Sequence, residues 1–367
     1  MRLALVHDWL NQIGGAEDVL HHLFEMYPQA PVFTSIYDRE TMPPAWQARD
    51  IRPLWLDRLP GIHDHHQRYL PLYPLAWGGL HLDDYDVILS NKSGFCHGFH
   101  KPEGSLHICY CLAPTRYVWN FAAYAQREQL GRVPRAAVRA LLPWLRWWDK
   151  RAADRVDHFI AISTDIQARI QRDYGREAPI IYPPVDVQDR FQPAAQPDDY
   201  FLSLGRLVPY KRVDLVVEAC TRLNLPLKVG GTGRDLERLQ ALAGPTVEFL
   251  GFVPDDDLPD LFARCRAFIF PGFEDFGITP VQAQACGRPV IAYGAGGALD
   301  TVLPGITGEH FHAQSVEALM AALQTFDATA YDPARIRQHA LQFDSMVFRQ
   351  QLTDYIHTAC EAHGIRP

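Results

Sequence analysis

Two cations stand five positions apart in the segment Gly205-Arg206-Leu207-Val208-Pro209-Tyr210-Lys211-Arg212. The segment follows an apolar run and opens a helical pattern. Arg206 and Lys211, set beside the free backbone N–H groups of a helix start, suit a diphosphate; the same residues also suit an ordinary solvated loop. A second loop, Gly230-Gly231-Thr232-Gly233, again follows an apolar run. Glycine there permits close backbone approach to a phosphate or sugar, and it serves equally in a plain tight turn. The spacing is not Gly-x-Gly-x-x-Gly, so a nicotinamide cofactor is not indicated. The strongest signal runs from Pro271 through Gly272-Phe273-Glu274-Asp275-Phe276-Gly277-Ile278-Thr279-Pro280 to Ala292. An acidic, glycine-bearing loop leads into a small-residue helix from about Pro280 to Cys286. Glu274 and Gln282 lie eight apart, one before the helix and one on it, and both can point into one crevice. The helix N-terminus offers N–H groups to an anion or to sugar hydroxyls. A core helix preceded by a surface acid shows the same pattern.

Such loops need strands to place them. Leu3–Val6, Val32–Ile36, Val87–Ser90, Leu106–Cys111 and Phe159–Ser163 read as buried strands alternating with amphipathic helices. Tyr182-Pro183-Pro184 then stiffens the chain as an extended connector. The alternation restarts with strands at Phe201–Leu204, Leu227–Val229, Val247–Leu250, Ala267–Phe270 and Val290–Ala292. Two βαβ series separated by a proline connector predict an α/β chain of two doubly wound domains, 1–183 and 184–345. A helix at about 346–367 is expected to pack back on the first.

With the loops in this order, the chain resembles the retaining family 4 glycosyltransferases of the GT-B fold. The Glu274-to-Gln282 block is similar to the family's Glu-x7-Glu signature and the Gly205-to-Arg212 loop to its phosphate loop. Gly14-Gly15-Ala16-Glu17 is similar to its N-terminal glycine loop. Tyr210-Lys211-Arg212 and Glu274-Asp275-Phe276-Gly277 resemble the branch of bacterial O-antigen and exopolysaccharide mannosyltransferases. The resemblance implies two Rossmann-like domains facing each other across a cleft. It implies retaining, metal-independent transfer of a sugar, GDP-mannose being the favoured donor, to a glycan or lipid-linked saccharide in cell-surface polysaccharide synthesis. Arg206 and Lys211 would hold the donor diphosphate and Glu274 the transferred sugar, with the loops at Gly205 and Gly233 beside them. Backbone N–H groups of Phe276, Gly277 and Ile278 would hold sugar and phosphate, Gln282 the ribose, and Gly15 would let the first domain approach the phosphates.

Two departures stand out. The second glutamate of the signature is Gln282, and an amide accepts fewer and weaker hydrogen bonds than a carboxylate. Cys111-Leu112-Ala113-Pro114-Thr115-Arg116 resembles a motif that often carries His at Leu112; His97, His100 and Arg116 are the candidate substitutes on the acceptor side. A nucleotide-sugar epimerase or hydrolase, or a sugar-nucleotide-binding protein without turnover, remains the alternative.

Composition narrows the rest. The 367 residues are 47% hydrophobic and carry a net charge of -8, a globular balance that does not suggest a general nucleic-acid binder. The longest uncharged stretch, Tyr69–Leu82, is broken by Pro71, Pro74, Gly78 and Gly79 and is too short for a membrane helix. The N-terminus meets Asp8 too early for a signal peptide, and seven scattered cysteines without a Cys-x-x-Cys pair read as free thiols. A cytoplasmic location follows, with the inner membrane face as a variant. His63-Asp64-His65-His66 is adjacent rather than helically spaced and reads as a solvated loop, not a metal site. Arg132, Arg135, Arg139, Arg146 and Lys150 share one side of a helical wheel over Arg132–Arg155. Trp144, Trp147 and Trp148 lie beside a Leu-rich side, a combination that suits an anionic membrane surface or a core helix with a wet basic side.

Overall fold

A computed structural model of the chain describes residues 1–121, 132–194 and 196–365. Strands β1 (Leu3–His7), β2 (Val32–Thr34), β3 (Ile51–Pro53), β4 (Val87–Lys92), β5 (Leu106–Cys111) and β6 (His158–Ala161) form one sheet in the order β3-β2-β1-β4-β5-β6. Strands β7 (Phe201–Leu204), β8 (Leu227–Gly230), β9 (Val247–Gly251), β10 (Ala267–Phe270), β11 (Val290–Tyr293) and β12 (Gly308–Phe311) form another, in the order β12-β11-β10-β7-β8-β9. Counted from its own first strand, the second sheet repeats the order of the first. All pairings are parallel, for example Leu5 opposite Leu89 and Ile269 opposite Ile291. The expected α/β chain with two Rossmann-like sheets is what forms.

Parallel strands covered on both faces need continuous apolar runs. Ala267–Phe270 supplies one and Leu106–Cys111 another broken only by His107, and both are buried throughout. β4 continues two residues past the apolar run, through Asn91 to Lys92, and both side chains are fully buried. β3 and β12, absent from the sequence reading, are edge strands. They are short, partly exposed and carry Pro53 and Glu309, so they offer no apolar run to read.

The chain divides into two compact units, Met1–Tyr182 with Phe348–Pro367, and Pro183–Val347. In the first, Tyr73, Trp77, Phe95 and Leu145 belong to one core. Helix Ser345–His363 contributes Phe348, 2% exposed and edge-on to Tyr110 at 5.6 Å. In the second, Val216, Val229, Ile269 and Ile291 fill the core.

Strand order reverses between β1 and β4 in one sheet and between β7 and β10 in the other. At such a switch point the connecting segments leave in opposite directions and open a crevice at the carboxyl ends of the strands. Chemistry-bearing loops are expected there.

Candidate active site

The second switch point gathers the predicted cations and acid. β7 ends at Leu204, and Gly205 follows at φ 149°. Pro209–Lys211 forms a tight turn in which Lys211 N–H donates to the Val208 carbonyl at 3.0 Å. From the neighbouring strand, β10, the chain runs through Pro271 and Gly272. A Cβ added to Gly272 would lie 3.2 Å from the Lys211 carbonyl oxygen, so that glycine lets the two loops meet. The Lys211 ammonium pairs with the Glu274 carboxylate, both side chains being about one-fifth exposed. The exposed Arg206 guanidinium lies 3.4 Å from the Tyr210 hydroxyl. Gly205, Arg206, Lys211, Gly272 and Glu274 line one pocket.

The Glu274 loop rests on a turn the sequence reading missed. Gly297 N–H donates to the Glu274 carbonyl at 2.9 Å. Added Cβ atoms at Gly296 and Gly297 would fall 2.3 Å from the Glu274 carbonyl oxygen and 2.2 Å from that of Phe276. The signal was present: Gly294-Ala295-Gly296-Gly297 follows strand β11 as the other glycine loops follow theirs. Phe276 turns its ring into the core against Phe343, at 5.6 Å, leaving only its backbone at the site. Gly277, at φ 89°, starts helix Ile278–Ala285, two residues earlier than the sequence suggested. Gln282 is half-buried on that helix; its carbonyl accepts from Cys286 N–H at 3.3 Å, and its side chain makes no hydrogen bond to another described residue.

The Gly230–Gly233 loop has a structural explanation. Added Cβ atoms at Gly231 and Gly233 would lie 1.9 Å from the Gly205 carbonyl oxygen and 2.2 Å from that of Leu207. Leu207 N–H donates to the Thr232 carbonyl at 2.8 Å. Packing of one loop on the other is enough to require both glycines.

At the first switch point Gly15 is exposed and opens helix Gly15–Met26, whose first turn carries Glu17 and Asp18, as the helix dipole favours. The loop is braced from below. Asn91 donates to the Ala16 carbonyl at 2.8 Å, and His7 meets the buried Glu17 carboxylate at 3.3 Å. His97 corrects the acceptor-side expectation: it is fully enclosed, 6.3 Å from the Trp148 ring centre and 3.3 Å from the Asp149 carbonyl. Burial, with Lys92 nearby, holds its imidazole well below the usual range. Arg116 is half-buried at the start of helix Arg116–Trp119, and His100 stacks on His81.

A buried polar network lies behind these residues. The Lys92 ammonium donates to the Ala113 carbonyl at 3.1 Å and the Thr115 hydroxyl at 3.2 Å. That hydroxyl lies 2.7 Å from the Asp149 carboxyl, which also accepts from Trp119 at 2.6 Å and Tyr174 at 2.8 Å. Burial lifts the Asp149 carboxyl above its usual value, against the lowering pull of Lys92 and these donors.

Asp149 sits on helix Arg132–Ala153. Trp148 of that helix is half-buried, its ring in the notch left by Gly98, so the expected boundary position is corrected to the core. Trp144 and Trp147 are exposed, at 37% and 57%. Arg139 is exposed, whereas Arg146 donates to the Val118 carbonyl at 3.1 Å and Lys150 to that of Tyr174 at 2.7 Å. The side chain of Arg132 lies outside the described residues. His63 pairs with Asp57 at 2.9 Å.

A larger groove of about 960 Å³ lies in the first unit beside the amino end of β6, lined by His158, Arg176 and Tyr355 among others. Its polar groups already serve the fold: His158 meets the Tyr355 hydroxyl at 3.2 Å, and Arg176 donates to the Ala153 and Asp157 carbonyls. The smaller switch-point pocket is the better candidate, because its charged groups converge at the carboxyl ends of parallel strands. Among the described residues no helix is long and apolar enough to cross a membrane.

Known proteins share this architecture. Residues 13–189 match the family described as Glycosyltransferase Family 4, and residues 186–342 the family described as Glycosyl transferases group 1. The chain is 30% identical over 215 residues to the GDP-mannose-dependent alpha-(1-6)-phosphatidylinositol monomannoside mannosyltransferase of Mycolicibacterium smegmatis. That match covers 50% of this chain and 56% of the relative. It is 29% identical over 260 residues to the serotype-specific mannosyltransferase WbdA of Escherichia coli, covering 65% of this chain and 29% of that protein. The chain thus spans about half or less of these two curated relatives. Among solved structures, sucrose-phosphate synthase of Thermosynechococcus elongatus superposes with a TM-score of 0.73 at 19% identity, over 99% of this chain and 100% of that one. Anabaena HepE in complex with UDP gives 0.69 at 18%, over 98% and 100%. Two glycosyltransferase family models thus match adjoining segments of the chain, and its fold is GT-B.

Proposed function

We propose that the chain is a retaining glycosyltransferase that moves a sugar, mannose from GDP-mannose in the favoured reading, to a glycan or lipid-linked saccharide. The observation that carries this is the convergence of Arg206, Lys211 and Glu274 in one pocket at the second switch point. Breaking an anomeric bond leaves negative charge on the departing diphosphate. Arg206 and Lys211 are then worth most in the transition state, together with backbone N–H groups of Phe276, Gly277 and Ile278 at the start of helix Ile278–Ala285. No metal is required where these groups neutralise that charge. Glu274 accepts hydrogen bonds from sugar hydroxyls once the diphosphate draws Lys211 away, and Gln282 reaches the ribose. The mannose reading leans on the two mannosyltransferase relatives, and the guanosine reading on the GDP-mannose-dependent one of Mycolicibacterium smegmatis.

Calorimetry with GDP-mannose, GDP, UDP-glucose and UDP is expected to show binding of the guanosine compounds and weak or no binding of the uridine ones. Tight uridine binding without guanosine binding would reverse the donor assignment. Binding of a nucleotide sugar with no consumption of it, with acceptors present, would favour the non-catalytic alternative that Gln282 suggests.

A lipid-linked acceptor would favour surface binding. On helix Arg132–Ala153 the exposed Ala136, Ala140, Trp144 and Trp147 adjoin the exposed Arg135 and Arg139, an aromatic strip with a basic edge. Anionic headgroups attract such charges by about 1 kcal/mol each near the surface. Co-sedimentation with phosphatidylglycerol vesicles at low salt, lost at high salt and with neutral vesicles, is the expected result. Equal, negligible binding in every condition would leave this helix as a plain part of the fold.

A further inference from the structure

Arg212 stands next to the phosphate-loop lysine in a conformation that costs a residue with a Cβ. Its φ is 55°, and among the described residues other than glycine only Asn224 is also positive. Asparagine tolerates the left-handed region; arginine remains there only when its surroundings hold it.

Its surroundings form a strap. Arg212 Nε donates to Asp214 Oδ1 at 3.1 Å and Nη2 to Oδ2 at 3.4 Å, a two-pronged pair. Nη1 lies 3.4 Å from the Gln314 carbonyl, and the Gln314 amide donates to the Pro271 carbonyl at 2.9 Å. Asp214 is also 4.0 Å from Arg238, which grips both oxygens of Asp235 at 2.7 and 2.8 Å. Asp235 N–H donates to the Leu207 carbonyl at 3.0 Å. The turn after Lys211 is thus tied to the β10 loop on one side and, through Asp214, to its own loop on the other.

We propose that Arg212 is a positioning residue: its guanidinium, tethered to Asp214 and the Gln314 carbonyl, holds the left-handed turn that aims Lys211 into the switch-point pocket. This rests on the reading of that pocket as a diphosphate site. The strap is needed because Arg212 has a Cβ; glycine adopts the same turn untethered. A guanidinium that met phosphate itself would be missed equally in alanine and glycine variants.

The test is calorimetry of GDP and UDP against the full chain and its Lys211→Ala, Arg212→Ala, Arg212→Gly and Asp214→Asn variants, each with a measured Tm. Arg212→Ala is expected to weaken whichever diphosphate binds by about tenfold, because the untethered residue falls back toward the ordinary backbone region. Asp214→Asn weakens it less, and Arg212→Gly stays within about threefold of the parent. Glycine as damaging as alanine would overturn the proposal in favour of direct phosphate contact, and an unaffected alanine variant would also overturn it. Unchanged binding in Lys211→Ala would instead remove the functional reading. Stability then decides: a Tm lowered by Arg212→Ala and restored by Arg212→Gly keeps the strap, and equal Tm values reject it.

Discussion

Alanine at Arg206 or at Lys211 is expected to lower turnover about 10- to 1000-fold, since each removes a positive charge from the place where a leaving diphosphate becomes an anion. The two variants should differ in kind. Arg206 is exposed, and among the described residues its guanidinium hydrogen-bonds only the Tyr210 hydroxyl, at 3.4 Å. Lys211 is paired with Glu274, so its removal also leaves that carboxylate without its cation. Initial rates of nucleoside diphosphate release, measured with the donor that calorimetry selects, provide the check. Near-normal rates in both single variants would end the assignment of this pocket.

The largest expected loss of stability lies at Asp149 in the other unit. Asp149→Ala orphans the Trp119 indole and the Tyr174 hydroxyl and leaves the buried Lys92 without the carboxyl that Thr115 relays to it. Breaking a buried charged network by removing one partner costs about 3–5 kcal/mol. Asp149→Asn keeps an acceptor in place and should cost less. Urea unfolding followed by tryptophan fluorescence would show the early loss of the first unit. An unfolding midpoint within error of the parent in Asp149→Ala would show that the network holds nothing together.

The legible parts of the sequence were those with a local signature. Apolar runs marked ten strands, and glycines after them marked the loops that meet at the second switch point. Lys211 and Glu274 are 63 residues apart and touch because β7 and β10 are sheet neighbours, as the doubly wound order requires of its first and fourth strands. What stayed hidden depends on burial, and residue type alone reports that poorly. Lys92 ends a strand and reads as its solvated end, yet it is fully buried; its partner Thr115, and Asp149 behind that hydroxyl, come from two other segments. His97 sits in a Gly- and Ser-rich stretch that looks like a surface loop, but Trp148 covers it. Gly231 and Gly233 could be recognised as constrained positions. Only the structure shows that the constraint is the carbonyl of a facing loop.

The return of the chain to its first unit bears on how the protein is made. Phe348 packs against Tyr110, Arg349 pairs with Glu25, and Tyr355 reaches His158, so the segment that completes the first unit follows the whole of the second. A ribosome adds roughly 5–20 residues per second, and folding proceeds from the N-terminal side as the chain emerges. The earlier-made of the two units therefore waits on the order of ten seconds with the groove for its returning helix unfilled. During that interval Tyr110 and the face around His22 are bare apolar and aromatic surface, the kind that nascent-chain chaperones hold. The late-made unit, contained in Pro183–Val347, has no such wait and can close as soon as it clears the exit tunnel. The order of synthesis and the order of completion are thus reversed.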